Sequence, residues 1–79
     1  SLKSQIGHST VAAGAIETVS VIQMLEEQML APTMNYQIED PECDLDYVPN
    51  RARKHNIKTV LSNNFGFGGQ NACLVFKQI

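Results

Sequence analysis

Only one stretch of this chain, residues about 9–30, sustains a helical period, and the stretch that follows it has no period at all. Val11, Ala12, Ala15, Ile16, Val19, Ile22, Leu25, Met29 and Leu30 fall on one broad face of a helical projection, with Glu17, Ser20, Glu27 and Gln28 opposite. This predicts one buried or half-buried helix. Ser9 or Thr10 suits its N-cap, Pro32 blocks its continuation, and Gly14 inside it calls for a close approach by another backbone. A chain of 79 residues holds one small domain at most and buries only about 60% of its unfolded surface.

Residues 31–56 contain all three prolines and many polar groups. That is long for a structureless loop in a compact domain, and it points to a piece that runs over the surface of other parts. Ile57 to Ser62 and Ala72 to Lys77 read as two strands rich in β-branched and apolar residues. The intervening residues 63–71 hold three glycines, more than a plain hairpin turn needs.

With net charge −2 and pI 5.5, the chain offers no electrostatic footprint for nucleic acid. Arg51, Arg53 and Lys54 form the only basic cluster and suit a solvated loop. The longest apolar run is far short of a membrane span, and no signal segment is visible. Cys43 and Cys73 make neither a metal spacing nor a disulfide framework. Cys73 lies in an apolar run as a small buried thiol would, and Cys43 sits among Glu42, Asp44 and Asp46, a poor setting for a nucleophile. A reducing, cytoplasmic setting and no cofactor are expected.

Two short segments hold residues suited to chemistry. His8 follows Gly7 just before the expected helix, where an imidazole can donate to a carbonyl or carboxylate. A lone histidine there also suits a purely structural role, and Lys3 near it suits solvation. Gly66-Phe67-Gly68-Gly69 supplies bare N–H groups and unusual backbone angles, the material of an oxyanion hole. Phe65 and Phe67 equally suit anchors that fix a turn into a core.

Three motifs, in order, carry a family resemblance across essentially the whole chain. Lys3-x-x-x-Gly7-His8-Ser9-x-x-Ala12-Ala13-Gly14-Ala15-x-Glu17 resembles the lysine and second-histidine motif of the β-ketoacyl-[acyl carrier protein] synthases. Asp40-Pro41-Glu42-Cys43-Asp44-Leu45-Asp46-Tyr47-Val48-Pro49-Asn50 is similar to a loop of their synthase II branch, and Leu61-Ser62-Asn63-Asn64-Phe65-Gly66-Phe67-Gly68-Gly69-Gln70-Asn71 to their last active-site loop. The chain thus resembles a C-terminal fragment, residues 1–79, of the synthase C-terminal domain. The fold implied is α/β: the C-terminal piece of a thiolase-like fold, one long helix followed by two antiparallel strands.

The resemblance implies a parent acyltransferase that condenses malonyl-[acyl carrier protein] with an acyl-enzyme in a decarboxylative Claisen reaction of fatty-acid elongation. His8 would polarise the malonyl thioester carbonyl. Lys3 would hold the electrostatic network, with Glu17 as its ion-pair partner. The Phe67 N–H would supply half of the oxyanion hole and its ring would gate the acyl pocket, with Phe65, Gly66 and Gly68 beside the substrate. Glu17, Ser62 and Asn71 match positions that hold a structural monovalent cation in some members. Acyl carrier protein and malonyl and acyl thioesters would be the partners. The parent would be a homodimer, and the fragment, with its apolar strand bare, would self-associate.

Neither cysteine matches the nucleophile position, so the fragment alone is expected to be inactive. The alternative is a non-catalytic partner of the chain-length-factor type, and an independent α/β interaction module is a third reading that loop 31–56 argues against. Thr10-Val11 replaces a usual Leu-Gly, Asn64 a usual Ser and Gln70 a common Thr.

Overall fold

The computed structural model describes residues 1–79. A short helix α1 (Lys3–Ile6) leads through a 3-10 turn (Thr10–Ala12) into the long helix α2 (Ala13–Glu27). Strands β1 (Met29–Leu30) and β2 (Arg53–Lys54) pair antiparallel, and β3 (Thr59–Phe65) and β4 (Asn71–Lys77) form a second antiparallel pair. The chain is therefore α/β, with one long helix laid against a hairpin.

The long helix is shorter than its period suggested. No side chain caps its start, and neither Ser9 nor Thr10 acts as expected. Its end is not set by Pro32 but by Gln28, which turns left-handed (φ 55°) and donates its N–H to Met24 O. The Gln28 side chain then pairs with the backbone of Ile57 as a strand would. Its Oε1 accepts from Ile57 N at 2.7 Å, and its Nε2 donates to Ile57 O at 3.0 Å and to Leu25 O at 2.6 Å. This clamp seats the helix C-terminus on the approach to β3.

The buried face of α2 also differs from the expected one. Ala13, Val21 and Leu25 are buried, whereas Ile16, Val19 and Ile22 are exposed. The stripe that packs inward runs through Ala13, Glu17, Val21 and Met24–Leu25, and a glutamate in its middle hides it from a hydrophobicity pattern. The core is small: Val21, Leu25 and Ile57, with Met24, Leu30, Val60 and Phe76 packed around them. Only five residues of 79 are buried. The Cα radius of gyration is 13.3 Å, above the roughly 11.6 Å of a compact domain of this length.

β3 starts at Thr59, later than the expected Ile57, and both strands run further into the turn than their apolar residues indicate. The ladder extends to Phe65↔Asn71, and Gly66 N donates to Gln70 O at 2.6 Å, so residues 63–71 form an ordinary hairpin end around a three-residue tip. Val60, Ser62 and Asn64 alternate inward. Asn64 explains Gly14: a Cβ on that glycine would lie 3.5 Å from Asn64 Oδ1, so a side chain approaches there, not a backbone. Cys73 is exposed on β4, against the expectation of a buried thiol.

Residues 31–56 are not structureless. Thr33 donates to Val48 O and accepts from Asn50 N, both at 2.8 Å. The Asn50 side chain brackets the Tyr36 backbone, accepting from its N and donating to its O. Tyr36 stacks on Tyr47, and Arg53 makes a bidentate pair with Asp46. The same loop ties down the N-terminus: Ser1 donates to Thr33 Oγ1, Gln5 Nε2 to Pro32 O, and Met34 N to Ser4 Oγ.

Candidate active site

His8 sits in the short link between α1 and the 3-10 turn. Gly7 closes α1 by donating to Lys3 O at 2.8 Å, then turns the chain at φ 77° with open space where a Cβ would be. Thr10 is left-handed at φ 47°, a strained state for a β-branched residue. Its N–H donates to His8 Nδ1 at 3.1 Å. With Nδ1 an acceptor, a neutral ring carries its hydrogen on Nε2, which is left free to donate.

The hairpin tip meets this histidine. His8, Thr10, Val11, Phe65, Gly66, Phe67 and Gln70 line one cleft of about 790 Å³. Helix start and hairpin end are thus brought together from opposite ends of the sequence. Gly68 and Gly69 both have φ 84°, a conformation that L side chains rarely adopt. The N–H groups of Phe67, Gly68 and Gly69 have no partner in the chain. Phe67 is fully exposed and Phe65 is 78% exposed, so neither ring anchors a core. The cleft therefore combines a histidine N–H donor, the free Phe67 N–H and two aromatic walls, a set suited to holding a carbonyl oxygen that gains negative charge.

Lys3 and Glu17 form an ion pair at 3.3 Å, with side-chain exposures of 40% and 19%. The helical projection alone put Glu17 in solvent; it lies in the helix stripe that faces β3. Neither residue lines the cleft of His8. Glu17 and Ser62 line a second, smaller cleft. Asn71 pairs with Phe65 and falls, by strand alternation, on the opposite face of the hairpin from Ser62. Its side chain does not join the other two. No group of three His, Cys, Asp or Glu side chains is placed to hold a metal ion.

Sequence reasoning missed Thr10, whose backbone orients the imidazole, and treated Gln70 only as a departure from a pattern. No residue-type signal marks either, because both contributions depend on backbone angle and on the hairpin register. Perturbed titrations occur away from the cleft. The Arg53 hydrogen bond and then the Val48 N–H hold Asp46 below the usual carboxylate range. Desolvation, then Glu39, raises Tyr36.

Residues 1–37 match the β-ketoacyl synthase C-terminal domain. Over its whole length the chain is 48% identical to 3-oxoacyl-[acyl-carrier-protein] synthase 2 of Coxiella burnetii, covering 19% of that protein. This chain matches the C-terminal segment of the β-ketoacyl synthases. It superposes with a TM-score of 0.94 and 45% identity on a chain of AntDE:AntF, a type II polyketide acyl-carrier protein in complex with its ketosynthase bound to the hexaketide. The ishigamide ketosynthase/chain length factor matches with the same score at 37% identity; in both cases 99% of this chain and 19% of the other are covered. The chain spans about a fifth of the length of the curated relatives it matches. Its helix and hairpin are those of a thiolase-like ketosynthase. No helix is long and apolar enough to cross a membrane.

Proposed function

We propose that residues 1–79 form a C-terminal piece of the C-terminal domain of a 3-oxoacyl-[acyl carrier protein] synthase that elongates fatty acids. One observation carries the reading: His8, with its Nδ1 occupied by Thr10 N–H, lines the same cleft as Phe67, whose backbone N–H is unpaired. In the proposed reaction the bond between the malonyl carboxylate carbon and the adjacent carbon breaks and CO₂ leaves. The electron pair passes into an enolate whose oxygen accepts from His8 Nε2–H. The enolate carbon then attacks an acyl thioester carbonyl, whose oxygen accepts from Phe67 N–H. A carbon–carbon bond forms and a thiolate leaves.

Cys43 and Cys73 are both exposed and neither lines the cleft, so the acyl-bearing thiol is assigned to the remainder of the synthase and the 79 residues alone to an inactive piece. Lys3 and Glu17 act as a positioning pair. Acyl carrier protein is the proposed partner, homodimer the proposed assembly and cytoplasm the proposed setting, because both substrates are carrier thioesters. Likeness to the ishigamide ketosynthase/chain length factor favours the second reading, a non-catalytic partner subunit; retention of Lys3 and His8 favours the enzyme.

The test uses the protein of the full reading frame with malonyl- and acyl-carrier substrates. His8→Ala should lower condensation by about 10²–10³-fold while leaving acylation of the enzyme thiol intact. Unchanged condensation in that variant sinks the enzymatic role of His8. Absence of any acylation in the unaltered protein favours the partner-subunit reading.

A further inference from the structure

Gly14 and Asn64 touch beside the cleft, on the two elements that form it. Val11, just before the start of α2, and Phe65, the neighbour of Asn64 on β3, both line that cleft. A Cβ on Gly14 would lie 3.5 Å from Asn64 Oδ1 and 3.7 Å from both Cγ and Nδ2. Three amide atoms at nearly one distance place the flat face of the amide across the glycine. Unlike the Gln28 amide, this one makes no hydrogen bond within the chain, so the contact acts by shape.

At the far end of the seam Val21 and Leu25 meet Ile57 and Val60 through their side chains. At the cleft end α2 offers only the backbone of Gly14, and the Asn64 amide fills the gap. Phe65 and Phe67 are exposed, and the space at Gly68 and Gly69 is open, so neither ring nor loop braces the tip against the helix. We propose that Asn64 is a positioning residue, a spacer that sets the separation between His8 on the helix side and Phe67 N–H on the hairpin side. The assignment rests on the synthase reading, which gives those two donors their separate oxygens and says nothing of what spaces them.

Condensation needs both oxygens held at once, whereas each half-reaction draws on one donor. In acylation the enzyme thiol displaces the carrier thiol at a carbonyl held by Phe67 N–H. With the enzyme thiol alkylated, decarboxylation of malonyl-carrier draws on His8: CO₂ leaves, and the enolate carbon takes a proton from water to give the acetyl thioester.

The experiment reads these three rates in the protein of the full reading frame. Asn64→Ala should lower condensation about tenfold and leave both half-reactions within about twofold. Asn64→Leu keeps the fork at Cγ without its polar atoms and should retain condensation. Gly14→Val pushes methyl groups into the amide and should reproduce the Asn64→Ala pattern, which decides the matter should that variant misfold. A uniform fall in all three rates, condensation unmoved, or an equal loss in Asn64→Leu and Asn64→Ala each overturns the spacer and leaves the synthase reading standing. An unaltered protein that performs none of the three reactions overturns the synthase reading and the spacer with it.

Discussion

The two ends of the helix–hairpin pair are built on opposite terms. At the Gln28 end every group is engaged: the side-chain amide satisfies both the N–H and the C=O of Ile57, and Val21, Leu25 and Ile57 close over each other. At the His8 end the chain leaves groups unspent: three consecutive N–H groups without partners, a strained Thr10, two bare phenylalanines and an amide with no bond. Burial and hydrogen bonding at one end hold the strands in register, and that register delivers the exposed tip to the histidine at the other. Stability and chemistry are thus separated along a single pair of elements, so the same kind of substitution should have opposite consequences at the two ends.

The sharpest way to break this contrast is at the clamp end. Ile57→Ala should cost about 2–4 kcal/mol, read by denaturant unfolding of the full-length protein. A loss below about 1 kcal/mol would mean that the Gln28 end is not where the fold is held. Next in size, Gln28→Ala leaves the Ile57 backbone unpaired and should cost about 1–3 kcal/mol; Gln28→Glu, which keeps only acceptors, should recover part of it.

At the cleft end, Gly69→Ala forces a side chain into φ 84° and should cost about 1 kcal/mol of stability, with a larger fall in condensation rate. Phe67→Ala should sit lowest on the stability scale, within about 0.5 kcal/mol, because its ring touches no core. A fall in stability there comparable to that of Ile57→Ala would erase the distinction between the ends. The smallest expected effect lies in the loop. The folded-state shift of Asp46 is downward, so its contribution is present above the ordinary carboxylate pKa and disappears as pH falls through the depressed value. Arg53→Gln should weaken that acid dependence, the Val48 N–H remaining, by lowering stability slightly at neutral pH and leaving it unchanged below the depressed value.

The contrast also explains what could be read from residues alone. The helix was legible because its period is long, but its inward face was not. Glu17 occupies the middle of that face and is tolerated there beside Lys3. The strands were legible from Val60, Leu74 and Phe76, yet their last residues, Asn63 and Asn64, are poor strand formers held by the ladder and by the space at Gly14. Loop 31–56 hid its order because Asn50, Thr33 and Gln5 bond to backbone groups up to 32 residues away, and no local pattern reports such a pairing. His8 and the glycine loop were legible as motifs. Their meeting in one cleft depends on the register of β3 and β4 and on the length of α2, which are properties of the folded chain.

The neck of that loop has a practical consequence. Thr33, Val48, Asn50 and Tyr36 fasten its base, while the turn beyond them turns Ile38 and Leu45 to solvent and lines no part of the cleft. Residues 38–45 are accordingly where an inserted peptide should disturb the contacts within this segment least. A fluorophore-bearing peptide spliced there would be mechanically isolated by the fastened neck, reporting on the segment without loosening the tethers at Ser4 and Gln5 that hold Lys3 in place.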